Sequence, residues 1–152
     1  MPKELFTTTP PAKATADWSS ARSAELYGIN SWGAGYFDLS EQGEAQVNVD
    51  FGEHQVAVSI MDIVLGMRAR GLHMPAVLRI RNLLDDRIRV LNESFAQAIE
   101  QGGYHNTYRG VFPIKVNQQC HVIEEIADYG RRYHHGFEAG SKAELIIALS
   151  QL

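Results

Sequence analysis

The sequence predicts an α/β fold with parallel strands, preceded by a β-rich segment. From Pro75 onward, three short β-forming runs alternate with helical patterns and leave little spare loop, which is typical of parallel strands covered by helices. Such a sheet is either open and doubly wound or closed into a barrel. An open nucleotide-binding sheet usually carries a Gly-rich phosphate motif after its first strand, and the chain has none there. The missing motif favours the first part of a barrel.

Composition and charge describe a globular chain without a nucleic-acid or membrane partner. Of the 152 residues, 45% are hydrophobic and 21% are charged, and the net charge is -4. No overall positive field would attract phosphates, so we expect no nucleic-acid partner. The sequence has no signal-peptide core and no uninterrupted apolar run of about 18 residues. Cys120 is the single cysteine and suits a reducing compartment, so we expect a cytoplasmic protein.

The first 58 residues divide into a leader and the β-rich segment. Residues 1–17 are rich in Thr, Pro and Ala and have no period, which predicts a disordered leader. Residues 18–58 form the β-rich segment, in which strands at 36–39 and 45–49 are joined as a hairpin around a Gly-containing turn.

Residues 59–152 are assigned to the incomplete barrel. Ser59 is the predicted cap of a helix that Gly71 stops. Ser141 and Glu144 fit the S-x-x-E capping box that starts the last helix. The predicted strands are 76–80, 108–116 and 134–139, and the helices after the first two end at Gly102-Gly103 and Gly130.

Lys115 lies near the end of the second predicted strand, "GVFPIKVNQ". Side chains alternate across a strand, and in a barrel the outward face is apolar while the inward face carries functional groups near the carboxyl end. Proline has no backbone N–H to donate to a neighbouring strand. Pro113 therefore suits this strand only if strand pairing is interrupted just before Lys115. The predicted outward residues are Phe112, Ile114 and Val116, and the inward residues are Val111, Pro113 and Lys115.

An inward lysine amine in a partly dry pocket has a definite chemical use. Desolvation and nearby positive charge favour the neutral amine, which can attack an aldehyde and form a Schiff base. Pyridoxal phosphate held in this way acts as an electron sink for an amino-acid carbanion. The alternative is a lysine on an edge strand whose amine reaches solvent, and the pattern alone leaves both interpretations open.

The stretches "YRGVFPIKVNQ" and "GFEAGSKAEL" together resemble the biosynthetic arginine decarboxylases, pyridoxal-phosphate enzymes of the alanine-racemase-like barrel class. Upstream, "YGINSWGAGYFDL" and "LRIRNLLDDRI" are similar to the same family, so the resemblance covers nearly everything from Trp18 on. It implies the N-terminal part of a (β/α)8 TIM-like barrel of fold type III, preceded by a segment of a second β domain. Phe112 stands where tyrosine is frequent in the family, a mild departure on the outward face.

The resemblance also implies a function and site residues. The complete enzyme would convert L-arginine to agmatine and carbon dioxide for polyamine (spermidine) biosynthesis, and these 152 residues alone would be inactive. Lys115 would be the Schiff-base lysine, both catalytic and cofactor-binding. Glu138 would lie near pyridoxal 5'-phosphate, and Ser141, primarily a helix cap, is counted as a further cofactor contact. Magnesium (Mg2+) is a family cofactor whose ligands the sequence does not locate, and the full-length protein is expected to be a homo-oligomer.

Several alternatives stay open at this stage. The substrate could be ornithine or diaminopimelate, or the chain could belong to a non-catalytic pyridoxal-phosphate carrier, which would lack the β-rich segment. An arginine cluster within residues 68–89 could serve an RNA-binding module, but acidic residues interrupt it. His121 and Glu125 have a metal-ligand spacing, although a solvated helix face is the better interpretation. His134 and His135 are interpreted as turn residues.

Overall fold

The computed structural model describes residues 18–51 and 54–152, and the chain divides into two compact units between Ala76 and Val77. The predicted leader, residues 1–17, lies outside the described residues. The boundary between the units falls after the first predicted helix that follows Ser59, so that helix lies in the first unit.

The first unit contains a three-stranded antiparallel sheet in the order β1-β2-β3. Strands β1 and β2 form the predicted hairpin, in which Phe37 pairs with Val47 and Leu39 with Ala45. Strand β3 was not predicted, because most of its side chains are exposed and it carries little apolar alternation. The strands are β1 (Phe37–Leu39), β2 (Ala45–Phe51) and β3 (His54–Ser59).

Two short helices precede this sheet, α1 (Ser20–Leu26) and α2 (Ile29–Trp32). The sequence analysis assigned residues 18–58 to β structure and missed both of them. Ser19 caps α1 by accepting a hydrogen bond from the Arg22 N–H, and Gly28 separates the helices with a left-handed φ of 63°. The aromatic and glycine-rich composition favoured a β prediction for this segment. The two helices are instead defined by the Ser19 cap and by the turn at Gly28.

The next helix, α3 (Ile60–Ala69), is the one predicted after Ser59. The Ser59 hydroxyl is its N-cap and accepts a hydrogen bond from the Asp62 N–H. Gly71 follows the helix with φ of 78°, a conformation that glycine adopts at little steric cost. The predicted cap and stop are thus confirmed.

The second unit pairs two parallel strands and packs helices against them. Val111 lies opposite Gly136 and Pro113 opposite Glu138, which confirms the predicted parallel pairing. The elements are α4 (Arg81–Gly102), β4 (Val111–Pro113), α5 (Cys120–Gly130), β5 (Gly136–Glu138) and α6 (Lys142–Leu149).

Two strand predictions are corrected in this unit. Residues 76–80 have no strand or helix, and Val77 is 80% exposed; β-forming side chains do not make a strand without a neighbouring ladder. The strand predicted at 108–116 shortens to β4. It ends at Pro113, which cannot donate a ladder hydrogen bond, and residues Ile114–Val116 form a 3-10 turn.

The core of the second unit lies between α4, α5 and the strand pair. Ile88 of α4 and Val122 and Ile126 of α5 are buried together, and Phe112 and Phe137 of the strands pack against them. Ile114 is fully buried, which agrees with the outward face predicted for it and for Phe112. That prediction is wrong for Val116, which is 69% exposed because the chain turns away after β4.

Candidate functional site

Lys115 lies immediately beyond the carboxyl end of β4. Ile114 anchors the 3-10 turn in the core, whereas Lys115 is exposed. The amine is therefore accessible to a small molecule. The partly dry pocket expected around Lys115 is not formed by the described residues alone.

Glu138 lies at the equivalent end of the neighbouring strand. It is the last residue of β5, it is half-buried, and it pairs in register with Pro113, two residues before Lys115. A Cβ atom at Gly140 would lie 3.4 Å from Glu138 Oε1 and 3.8 Å from Glu144 Oε2. These are ordinary contact distances, and they show that the loop after β5 passes close to two carboxylates.

The loop after β5 is held by the N-terminal cap of α6. Ser141 is the N-cap: its Oγ accepts a hydrogen bond from the Glu144 N–H at 3.2 Å. The same hydroxyl donates to Glu144 Oε1 at 2.8 Å, and the Gly140 N–H donates to Glu144 Oε2 at 2.9 Å. The predicted capping pair is confirmed, and it ties α6 to the end of β5.

Glu144 is buried even though it carries a carboxylate. The Gly140 N–H lowers the pKa of Glu144 most, followed by the Ser141 hydroxyl, and the positive charge of Lys115 acts in the same direction. Burial opposes these effects but does not overcome them. The sequence analysis treated Glu144 only as part of a cap, because the S-x-x-E pattern is the same whether or not a lysine lies nearby.

Glu125 corrects the interpretation of α5 as a solvated face. It is buried and forms an ion pair with Arg81 of α4, whereas His121 is exposed. No group of three or more His, Cys, Asp or Glu side chains that could hold a metal ion occurs within residues 18–51 and 54–152. Two members of the arginine cluster, Arg81 and Arg89, are ion-paired with carboxylates.

His135 is more than a turn residue. Methyl groups placed at Gly110 or Gly130 would both press on it, and the Asn92 side-chain amide lies 3.4 Å from its Nδ1 atom. Burial lowers the pKa of His135. His134 does occupy a turn, with a left-handed φ of 53°.

No family model matches the chain. A biosynthetic arginine decarboxylase from Synechococcus sp. (strain RCC307) is 44% identical over 136 residues, which are 90% of this chain and 21% of that protein. Biosynthetic arginine decarboxylases of Gloeobacter violaceus and Prochlorococcus marinus (strain MIT 9303) are 44% and 42% identical, covering 90% and 92% of this chain. The chain is a homologue of these decarboxylases. It spans 21% and 22% of their length, so it corresponds to about one fifth of such a protein.

The fold agrees with this similarity. The biosynthetic arginine decarboxylase SpeA from Campylobacter jejuni matches with a TM-score of 0.75 and 33% identity, over 82% of this chain and 20% of that chain. The resemblance drawn from the lysine and glutamate stretches is therefore confirmed, together with a mixed α/β fold of the arginine decarboxylase kind. Among the described residues, no helix has the length and apolar character needed to cross a membrane.

Proposed function

We propose that these residues belong to a pyridoxal-phosphate-dependent enzyme that converts L-arginine to agmatine and carbon dioxide in polyamine biosynthesis. Similarity to biosynthetic arginine decarboxylases over 90% of the chain carries this proposal. Residues 59–152 would begin its (β/α)8 barrel, residues 18–58 would belong to a second β domain, and residues 1–17 would be a leader. The enzyme would be cytoplasmic and, at full length, a homo-oligomer.

Lys115 is the residue that would hold the aldehyde of the cofactor. Its exposed amine follows the carboxyl end of a parallel strand, where barrel enzymes gather their reacting groups. A primary amine is also the group that an aldehyde requires for a covalent link. When bound, pyridoxal phosphate supplies an electron sink for the carbanion left by carbon dioxide. The part of Lys115 is to bind and, as a free amine, to hold or move a proton at Nζ.

Glu138 supports this assignment through its position. It ends β5 next to the strand that leads to Lys115, and it is only half-buried. A carboxylate at the end of this neighbouring strand would add negative charge at the end of the strand pair where Lys115 follows β4, and would favour a positively charged nitrogen there. We therefore assign Glu138 to electrostatic support of the cofactor.

Ser141 is suited first to its cap. A hydroxyl has one proton to donate, and Ser141 gives it to Glu144 Oε1 while accepting the Glu144 N–H. A contact in which Ser141 donates to a phosphate oxygen would use that proton, so the hydroxyl would have to release Glu144 Oε1 while it continued to accept the Glu144 N–H. Magnesium enters no step of this scheme, because the described residues define no ligand set for it.

The test uses the complete enzyme with its cofactor. Borohydride reduction followed by peptide mapping should fix pyridoxal phosphate to the peptide that contains Lys115, and labelling at Lys142 instead would overturn the site. Carbon dioxide release should be fastest from arginine when arginine, ornithine, lysine and diaminopimelate are compared. Faster release from ornithine or diaminopimelate would instead assign the chain to a decarboxylase of that amino acid. If borohydride traps the cofactor but no carbon dioxide is released from any of these amino acids, the protein would be a non-catalytic pyridoxal-phosphate carrier.

A further inference from the structure

Asn92 is a buried polar residue of α4, and its side-chain nitrogen makes two contacts. Nδ2 donates to the Ile88 carbonyl oxygen at 2.7 Å, and it lies 3.4 Å from Nδ1 of His135. A carbonyl oxygen only accepts hydrogen bonds, so the Asn92 atom that faces it is the amide nitrogen, which carries two hydrogens. The second hydrogen is therefore available to the His135 ring.

This contact identifies the tautomer of His135. In a neutral imidazole one nitrogen donates and the other accepts. Because Asn92 brings an N–H to Nδ1, Nδ1 is the acceptor and the ring proton lies on Nε2. Protonation of the ring would add an N–H at Nδ1, where it would face the N–H of Asn92, and two donors cannot bond each other. The contact is thus compatible only with a neutral ring.

The backbone around His135 gives the ring little room to avoid that conflict. The His135 N–H donates to the Gly130 carbonyl oxygen at 3.0 Å, and the Gly136 N–H donates to that of Gly110 at 2.9 Å. A Cβ atom at Gly110 would lie 2.7 Å from His135 Cε1, and one at Gly130 would lie 3.1 Å from His135 Cβ. The ring is therefore held between the end of α5 and the residue before β4.

Few ionisable groups surround the ring. The Tyr108 hydroxyl borders Gly110, Arg131 lines the same cavity as His135, and His134 precedes it in the chain. From α6, Ala148 and Leu149 contribute uncharged side chains to that cavity. Burial is the cause that lowers the pKa of His135, and no neighbouring charge among the described residues adds to it. Both burial and the Asn92 contact thus favour the neutral form.

We propose that Asn92 and His135 form a proton-sensitive clasp, in which the Asn92 amide holds the neutral Nε2–H tautomer of His135 and protonation at Nδ1 releases it. The clasp joins α4 to the amino end of β5. It lies at the opposite end of that strand from Glu138, so it is independent of the function proposed for Lys115. Acidification would loosen α4 from the strand pair at this point.

The first test exchanges the amide for a carboxylate in the full-length protein. Deuterium exchange at the imidazole Cε1–H, followed by peptide mass spectrometry with fragmentation between His134 and His135, reports the pKa of His135. Asn92→Asp offers a negative acceptor to an N–H at Nδ1, so the pKa should rise from below 6.5 to above 6.5. Gln97→Asp places the same charge on an exposed position of α4, where solvent screens it, and is the control. A rise in Asn92→Asp no larger than that in Gln97→Asp would overturn the proposal.

Asn92→Ala keeps the test decisive if the buried carboxylate prevents folding. This variant removes the amide and adds no charge, so the pKa of His135 should move up toward 6.5, and an unchanged or lower pKa would contradict the clasp. Loss of the clasp should also weaken the response of the fold to acid. Protection factors of amides in β5 should fall less between pH 7 and pH 5 in Asn92→Ala than in the wild type. An equal or larger fall would mean that the contact does not carry the pH response.

Discussion

Replacing Asp85 by asparagine is expected to stabilise the packing of α4 on α5 at neutral pH. One carboxyl oxygen of Asp85, Oδ1, is buried and has no hydrogen-bond partner among the described residues. Burial, and then the neighbouring Glu125 carboxylate, raise the pKa of Asp85 to about 6, while Arg81 and Arg132 oppose the rise. Because this pKa is raised on folding, the stabilisation from Asp85 is fully present below its ordinary pKa of 3.8. It is lost as the pH rises through about 6.

The size of the effect follows from the change in pKa. A rise from 3.8 to about 6 would correspond to about 3 kcal/mol at about 1.4 kcal/mol per pKa unit. Asp85 is only partly buried, so solvent screening reduces our expectation to about 1 kcal/mol. Asparagine carries no charge and offers an amide in place of the carboxyl group. The variant should therefore slow local opening of α4 and α5 by about fivefold at pH 7.5 and hardly at all at pH 4.

Amide hydrogen exchange in the full-length protein measures this local opening. Peptides from α4 and α5 are compared between variant and wild type at the same pH, which cancels the intrinsic pH dependence of exchange. Asp128→Asn is the matched control, since Asp128 is an exposed carboxylate on α5 and its loss should change exchange by less than about twofold. The reasoning would be refuted if Asp85→Asn exchanged faster than the wild type at pH 7.5. It would also be refuted if the variant slowed exchange as much at pH 4 as at pH 7.5.

Two further predictions concern His135. Gly110→Ala should destabilise the second unit by about 1–3 kcal/mol because its methyl group would overlap the imidazole ring. In thermal denaturation Gly136→Ala is the control, since its added Cβ would make only an ordinary contact at 3.8 Å with Val111, and equal losses would contradict the overlap. Burial lowers the pKa of His135 from 6.5, so its stabilisation is present above pH 6.5 and is lost as the pH falls through the lowered pKa. Protection factors of amides in the α5–β5 region, which correct for the intrinsic pH dependence of exchange, should therefore fall on acidification more in the wild type than in His135→Gln. An identical fall would count against a half-buried neutral imidazole.

The sequence predicted those elements whose signals are local. The period of apolar residues and Gly103 defined α4, which does end there with a left-handed C-cap, and Ser141 defined the start of α6. Residues 76–80 show the limit of such signals. Their side chains favour β structure, but a strand forms only where a second strand pairs with it through backbone hydrogen bonds.

The charged contacts of the second unit could not be predicted because they join distant parts of the chain. Glu125 has the position of a surface residue when α5 is considered alone. In the fold it is buried, and Arg81 on another helix compensates its charge. Lys115 and Glu144 are 29 positions apart in the numbering, and only the register of β4 with β5 brings their turns together. The S-x-x-E cap motif could be recognised in the sequence, but the charge of Lys115 acting on Glu144 could not be predicted from it.

Asp85 and His135 give the second unit opposing responses to pH. The contribution of Asp85 falls as the pH rises from about 4 to about 6, whereas that of His135 falls as the pH drops below 6.5. Over the range they share, the two contributions partly cancel, so the stability of the wild-type protein changes less with pH than that of either single variant. Each single variant removes one of the two contributions. The free energy of unfolding should rise from pH 5 to pH 7 in Asp85→Asn, and it should fall over the same range in His135→Gln. A flat profile in both variants would mean that neither group changes its proton affinity on folding.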